Sequence, residues 1–142
     1  MEEINDIEFG IILPKYDNSG RKIDPRFAKE VAIKMSKRFG GVTTFPTVLG
    51  CWVSDRGDLQ CEENILITSI RDTESIEDKP VHEQIEEDRR FMEELGRKCG
   101  KLFGQASVME TSGRKEVSFI EGRYREELPK RMVFKDIFTK HF

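Results

Sequence analysis

The segment Gly40–Asn64 reads GGVTTFPTVLGCWVSDRGDLQCEEN, and its pattern predicts a β-hairpin. A three-residue loop, Asp55-Arg56-Gly57, suits the turn because glycine readily adopts the left-handed conformation that such a loop needs at its last position. The resulting register pairs Ser54 with Asp58, Trp52 with Gln60, Cys51 with Cys61, and Gly50 with Glu62.

Side chains alternate along a strand, so this register sorts the hairpin residues onto two faces. One face is nearly all apolar and is expected to pack on helices; it holds Leu49, Cys51, Val53, Leu59, Cys61, Ile65 and Ile67. The other face combines an indole, an amide and a carboxylate beside a glycine, and it holds Val48, Gly50, Trp52, Gln60, Glu62, Asn64 and Leu66. Such a face suits a small ligand, a dimer interface or a half-solvated surface.

Thr43 and Thr44 follow the glycine pair Gly40-Gly41 and precede a proline. One hypothesis places their hydroxyl groups along the same opening as Trp52 and Glu62. The alternative, hydrogen bonding to loop backbone, is the more common role of such threonines.

The flanking segments predict a strand, a helix and a second helix around the hairpin. Ile7–Leu13 is an Ile-rich strand that ends before a proline. Asp24-Pro25 is a typical helix start, and the apolar residues that follow recur at helical spacing up to Gly40-Gly41. A second helix begins at Pro80 and ends near Gly104, and it is followed by strands over 106–111 and 116–120 with a turn at Ser112-Gly113.

This order of elements predicts an α+β fold: a ferredoxin-like βαββαβ sandwich with one antiparallel sheet and two helices on one face. Residues 1–122 form this domain. Residues 123–142 form a C-terminal extension that is expected to be helical, with Met132, Val133, Ile137 and Phe138 on one side. The open sheet face or this extension is expected to form a homodimer.

Composition argues against several classes of function. The chain has 142 residues, a formal net charge of −3 and a pI near 5.6, which argues against nucleic acid as a partner. The segment 59–70 contains no aromatic residue on which a base would stack. No long apolar run predicts a membrane span, and the acidic N-terminus, without an apolar stretch, favours a cytoplasmic location.

The reactive side chains do not form a recognisable metal or cofactor motif. Cys51, Cys61 and Cys99 include no Cys-x-x-Cys pair, so we expect reduced thiols. The predicted pairing brings Cys51 and Cys61 close enough to form a disulfide if oxidised, but we favour their role as small core residues. His82 and His141 are far apart in sequence. We therefore expect no metal and no cofactor.

The chain resembles uncharacterised bacterial ferredoxin-like domains over about Gly10 to Glu110. The resemblance consists of a glycine-rich GG-T segment after a helix, a G-W hairpin with a following glutamate, and a Q--V strand start. The matching positions are Gly40, Gly41, Thr43, Gly50, Trp52, Gly57, Glu62, Gln105 and Val108. The resemblance implies the fold and a shared surface, which adds Gln105 to the candidate ligand-binding residues, and it implies no activity.

Three functions remain open at this point. The preferred one is a non-catalytic domain that binds a small ligand or a protein through Thr43, Thr44, Trp52, Gln60, Glu62 and Gln105. The second is a small dimeric α/β-barrel-like enzyme in which Glu62, shielded from water by Trp52 and the sheet, acts as general base. The third is an oligomeric scaffold.

Overall fold

The computed structural model describes residues 3–103 and 109–118. The strands are β1 (Glu3–Pro14), β2 (Thr43–Val53), β3 (Leu59–Arg71) and β4 (Glu110–Ser118). The helices are α1 (Arg26–Phe39) and α2 (Val81–Phe103), and a short 3-10 turn spans Thr73–Ser75. The predicted C-terminal extension, 123–142, lies outside the described residues.

The four strands form one antiparallel sheet in the order β2-β3-β1-β4. The two helices pack on one face of this sheet, as the apolar spacing of each helix requires. The α+β ferredoxin-like arrangement that the sequence predicts is therefore confirmed.

The ends of α1 follow from local sequence. The Asp24 carboxylate accepts a hydrogen bond from the Arg26 backbone amide at 2.9 Å, which satisfies a donor that has no partner within the helix. Gly40 ends the helix in the left-handed conformation, and its amide donates to the Ser36 carbonyl.

The core lies between the helices and the middle of the sheet. It consists of apolar side chains from β1, β3, α1 and α2, chiefly Phe9, Ile11, Leu13, Val31, Ala32, Met35, Ile65, Ile67, Ile85, Met92, Leu95 and Cys99. Asp88 of α2 is fully buried beside this core and accepts hydrogen bonds from Arg38 of α1, Arg71 of β3 and Gln84. One buried carboxylate thus joins both helices to the sheet.

The predicted turn at Ser112-Gly113 is wrong. Ser112 pairs with Phe9 and Gly113 with Glu8 inside β4, so the chain continues straight through this dipeptide. Pairing with residues 3–11 of β1 stabilises the extended conformation here and outweighs the local turn preference of Ser-Gly. Within the described residues, the predicted fourth and fifth strands are parts of this single strand.

The prediction that the whole apolar face of the hairpin packs on helices is also wrong. Ile65 and Ile67 are buried, but Leu49, Val53 and Leu59 are 67%, 67% and 69% exposed. The reason is length: α1, the helix that packs on β3, has 14 residues and spans about 21 Å, whereas β3, with 13 residues, spans about 43 Å. The longer helix, α2, packs on β1 and β4 instead. Residues 48–63 therefore extend beyond the helices as a two-stranded projection, here called the arm.

Candidate functional site

The arm has the register that the sequence predicts. Trp52 pairs with Gln60, Cys51 with Cys61, and Gly50 with Glu62. The turn is the three-residue type: Gly57 has a φ of 84°, and its amide donates to the Ser54 carbonyl at 2.9 Å. Trp52, Gln60 and Glu62 therefore lie on one face, the face of the sheet that carries no helix.

We call Gly50, Trp52, Gln60 and Glu62 the arm patch. A Cβ atom at Gly50 would approach the Asn64 side-chain amide to 3.1 Å, so glycine leaves room for that amide beside the patch. The Asn64 amide donates to the Glu62 carbonyl at 3.3 Å. Trp52 is 51% exposed, and its indole lies beside the Gln60 amide and near the Glu62 carboxylate on the same face.

The arm patch combines three types of interaction. An exposed indole stacks on planar groups and attracts cations through its π face. A glutamate carboxylate attracts positive charge and accepts hydrogen bonds, and a glutamine amide both donates and accepts them. Together these groups suit a planar ligand that carries a positive charge.

Thr43 and Thr44 do not share one surface. Thr43 pairs with Thr68 on the open face, whereas Thr44 pairs with Ile67, whose side chain is buried under the helices. Thr68, the partner of Thr43, lies six residues from Glu62 along β3, and this separation corresponds to about 20 Å. The expectation that both hydroxyl groups line the same opening as Trp52 is therefore wrong, because neighbouring strand residues point to opposite faces.

Thr43 borders a separate open depression at the other end of the sheet. This depression has a volume of about 590 Å³ and is lined by Glu8, Gly41, Thr43, Phe45, Leu66, Thr68, Ile70 and Lys115, among others. Lys115 and Glu8 form an ion pair at 2.6 Å on its wall. Gln105, the remaining predicted ligand-binding residue, lies outside the described residues.

Glu62 is exposed in the single chain. The general-base hypothesis needs this carboxylate to be shielded from water, and the neighbouring strands do not shield it. Shielding would have to come from a bound ligand or from a second protein surface.

The expectation for two of the cysteines is wrong. Cys51 and Cys61 are both exposed and form a disulfide, with their Cα atoms 4.1 Å apart. Directly opposed residues at a non-hydrogen-bonded position bring their side chains close, so the predicted pairing already brought the two sulfur atoms within reach. The error came from placing this part of the hairpin in the core.

Sequence reasoning missed Glu110, the first residue of β4. One of its carboxylate oxygens is buried without a hydrogen-bond partner, and the carboxyl group packs against Gly96 of α2. Burial, reinforced by the charge of Glu93, raises the pKa of Glu110 to about 7. The predicted strand start at residue 106 made this residue look like an ordinary strand position.

Two classes of site are not found in the part of the chain that the structure describes. Residues 3–103 and 109–118 contain no group of three or more His, Cys, Asp or Glu side chains that could hold a metal ion. Over the same residues, neither helix combines the length and the apolar character needed to cross a bilayer.

Comparison with known proteins relates the fold to solved structures of phage SAM lyase. No family model matches the chain, and no curated protein matches its sequence. A phage SAM lyase in complex with S-methyl-5'-thioadenosine superposes with a TM-score of 0.53 at 15% identity, over 80% of this chain and 90% of that chain. A phage SAM lyase in the apo state gives 0.52 at 18% identity, over 85% and 94%. At these identities the likeness shows a shared fold.

Proposed function

We propose that the protein binds a small organic ligand at the arm patch. The observation that carries this proposal is the placement of an exposed indole, an amide and a carboxylate side by side over a glycine. A ligand site would use the ring for contact area and the polar groups for orientation.

The chemistry of the patch favours an adenosyl compound with a positively charged sulfur. The adenine ring would stack on Trp52, and the Glu62 carboxylate would attract the sulfonium charge. The fold likeness to a phage SAM lyase that binds S-methyl-5'-thioadenosine supports the same choice. S-adenosylmethionine (SAM) and S-methyl-5'-thioadenosine are therefore the probes to use first.

A native mass spectrum of the protein as purified from cells tests this proposal. We expect a noncovalent extra mass that is lost on denaturation and is absent from Trp52→Ala, because that variant loses the stacking surface. A matched control is Tyr16→Ala, which removes an exposed aromatic side chain outside the arm and outside the four strands of the sheet. Equal retention of the extra mass in Trp52→Ala would contradict binding at the arm patch.

A catalytic role for Glu62 is the second candidate, and the likeness to a lyase favours it. In this role Glu62 would, as general base, take a proton from the carbon next to the one bound to sulfur in the methionine-derived chain of SAM. The C–H electrons form a carbon–carbon double bond, the C–S bond breaks with its electron pair on sulfur, and S-methyl-5'-thioadenosine leaves with an unsaturated amino acid as the second product. Glu62→Gln should then abolish release of S-methyl-5'-thioadenosine from SAM. Glu63→Gln should retain it, because Glu63 is the neighbouring carboxylate on the opposite face of β3. In a pure binding protein, neither variant nor wild type would show turnover.

We also infer that the chain forms a homodimer through the open sheet face. Phe45 in the helix-covered part of β2 and Trp52 on the arm both expose aromatic surface on this face. A second subunit would remove this surface from water and would shield Glu62. The same native mass spectrum measures the subunit count. A scaffold without a ligand would instead show loss of assembly in Trp52→Ala and no extra mass in wild type.

A further inference from the structure

We propose that the Cys51–Cys61 disulfide is a thiol–disulfide exchange site that controls the order of the arm, with a dithiol reductant as its reaction partner. The proposal goes beyond the binding role, and only its consequence for affinity rests on the proposed function. Three observations carry it: the position of the bond, its exposure and the lack of other support for the arm.

The disulfide joins the two strands of the arm midway along the projection. Cys51 and Cys61 are directly opposed in the β2–β3 ladder. Both residues are exposed, so a reductant can approach the sulfur atoms without unfolding of the core. Cys99 differs in both respects, because it is buried in α2 and forms no disulfide.

The arm has little else to hold it in place. A two-stranded hairpin is marginally stable in water unless a face of it packs on other structure. Leu49, Val53 and Leu59 are mostly exposed, and continuous burial along β3 begins only at Asn64. The covalent link therefore supplies a large share of the order of residues 48–63.

Exchange with a dithiol balances as an ordinary two-electron reaction. A thiolate of the reductant attacks one cystine sulfur, the Cys51–Cys61 bond breaks, and the other cysteine leaves as a thiolate that takes up a proton. The second thiol of the reductant then closes its own disulfide and releases the first cysteine. The protein gains two electrons and two protons, and the dithiol loses them.

Reduction would change the arm patch directly, because its residues are next to the bond on both strands. Trp52 adjoins Cys51, and Gln60 and Glu62 flank Cys61. If the pairing of β2 with β3 loosens, these side chains are no longer held in the arrangement that binds the ligand. We therefore expect ligand affinity to fall by about three- to tenfold on reduction.

Thiol labelling and hydrogen exchange on the full chain test the proposal without any ligand. After purification without reductant, the folded protein should take up no iodoacetamide label. After dithiothreitol it should take up two labels, at Cys51 and Cys61. Cys99 should react only after denaturation, because burial raises the pKa of its thiol to about 11 and excludes the reagent.

Amide exchange over 48–63 should be at least tenfold faster in the reduced protein, while β1 and α1 keep their protection. The double variant Cys51→Ser/Cys61→Ser should match reduced wild type and should not respond to dithiothreitol. Free arm thiols after purification without reductant, equal exchange in both redox states, or a dithiothreitol response in the double variant would each overturn the proposal. Because these readouts need no ligand, failure of the binding proposal would leave them unaffected.

Discussion

Glu110 shows how one side chain makes the stability of this fold depend on pH. Its carboxyl group lies between β4 and α2, with one oxygen buried and unpartnered. Two charged side chains of α2 act on it, with Glu93 raising its pKa and Arg97 lowering it. The protonated form is neutral and therefore costs less to bury than the carboxylate.

The pKa of Glu110 is about 7 in the folded protein, whereas its ordinary value is 4.5. This upward shift determines how the stability depends on pH. Between these values the folded state binds more protons than the unfolded state, so the free energy of unfolding falls as the pH rises. After discounting for partial exposure, we expect a loss of about 1–2 kcal/mol between pH 5 and pH 8.

The variant Glu110→Gln tests this expectation. Glutamine keeps the shape of the side chain and cannot ionise, so the loss between pH 5 and pH 8 should disappear. Urea unfolding at the two pH values measures it, with the exposed Glu83→Gln as a matched control. A pH dependence in Glu110→Gln equal to that of wild type would show that other groups cause it.

At the scale of single residues, pairings were more predictable than burial. The pairs Trp52–Gln60, Cys51–Cys61 and Gly50–Glu62 follow from turn length and strict alternation, and the structure confirms all three. The exposure of Leu49 and Leu59 was not predictable in this way. Alternation tells which residues share a face, but not what covers that face.

At the scale of elements, the hairpin turn is the clearest case in which local chemistry determines structure. Gly57 has a φ of 84°, a conformation that costs other residues about 1–2 kcal/mol. No other atom lies near the position of its Cβ, so a substitution there would test backbone conformation alone.

We therefore expect Gly57→Ala to destabilise the arm by about 1 kcal/mol. Gly113→Ala is the matched control, because Gly113 also has open space around its Cβ position but does not have a positive φ. Amide exchange within the arm should quicken about fivefold in Gly57→Ala and stay at the wild-type rate in Gly113→Ala. Equal rates in the two variants would refute the turn assignment.

The two elements that sequence reasoning misplaced share one physical cause. A turn was predicted at Ser112-Gly113 from local preference, yet pairing with β1 keeps that dipeptide extended. The arm was predicted to be packed because its pattern is apolar, yet α1, the helix over β3, is too short to cover it. In both cases a tertiary relation, absent from the local pattern, determined the outcome.

For the molecule as a whole, the ferredoxin-like arrangement was predictable from the order and spacing of its elements. Helices after β1 and β3, with a hairpin between β2 and β3, lead to the observed strand order. The candidate site was predictable in part: the arm patch is assembled as expected, whereas Thr44 lies on the other face. The predicted resemblance to uncharacterised bacterial ferredoxin-like domains stays a prediction.

The architecture leaves the site on a projection rather than in a cleft. Trp52 lies beyond the helices, and apolar side chains are exposed on both sides of the arm. A second subunit that covers the arm patch would turn this open surface into an enclosed site. We therefore interpret the arm as the functional part of the molecule and the helix-covered part of the sheet as its support.

A fluorescence titration tests this account most directly, because Trp52 is the only tryptophan in the chain. SAM and S-methyl-5'-thioadenosine are added to wild type, Glu62→Gln and Glu63→Gln. We predict a saturable change with both compounds in wild type and in Glu63→Gln. In Glu62→Gln the affinity for the cationic SAM should fall at least tenfold, and that for the uncharged thioether much less. No saturable change with either compound in wild type, or equal weakening in the two variants, would contradict the account.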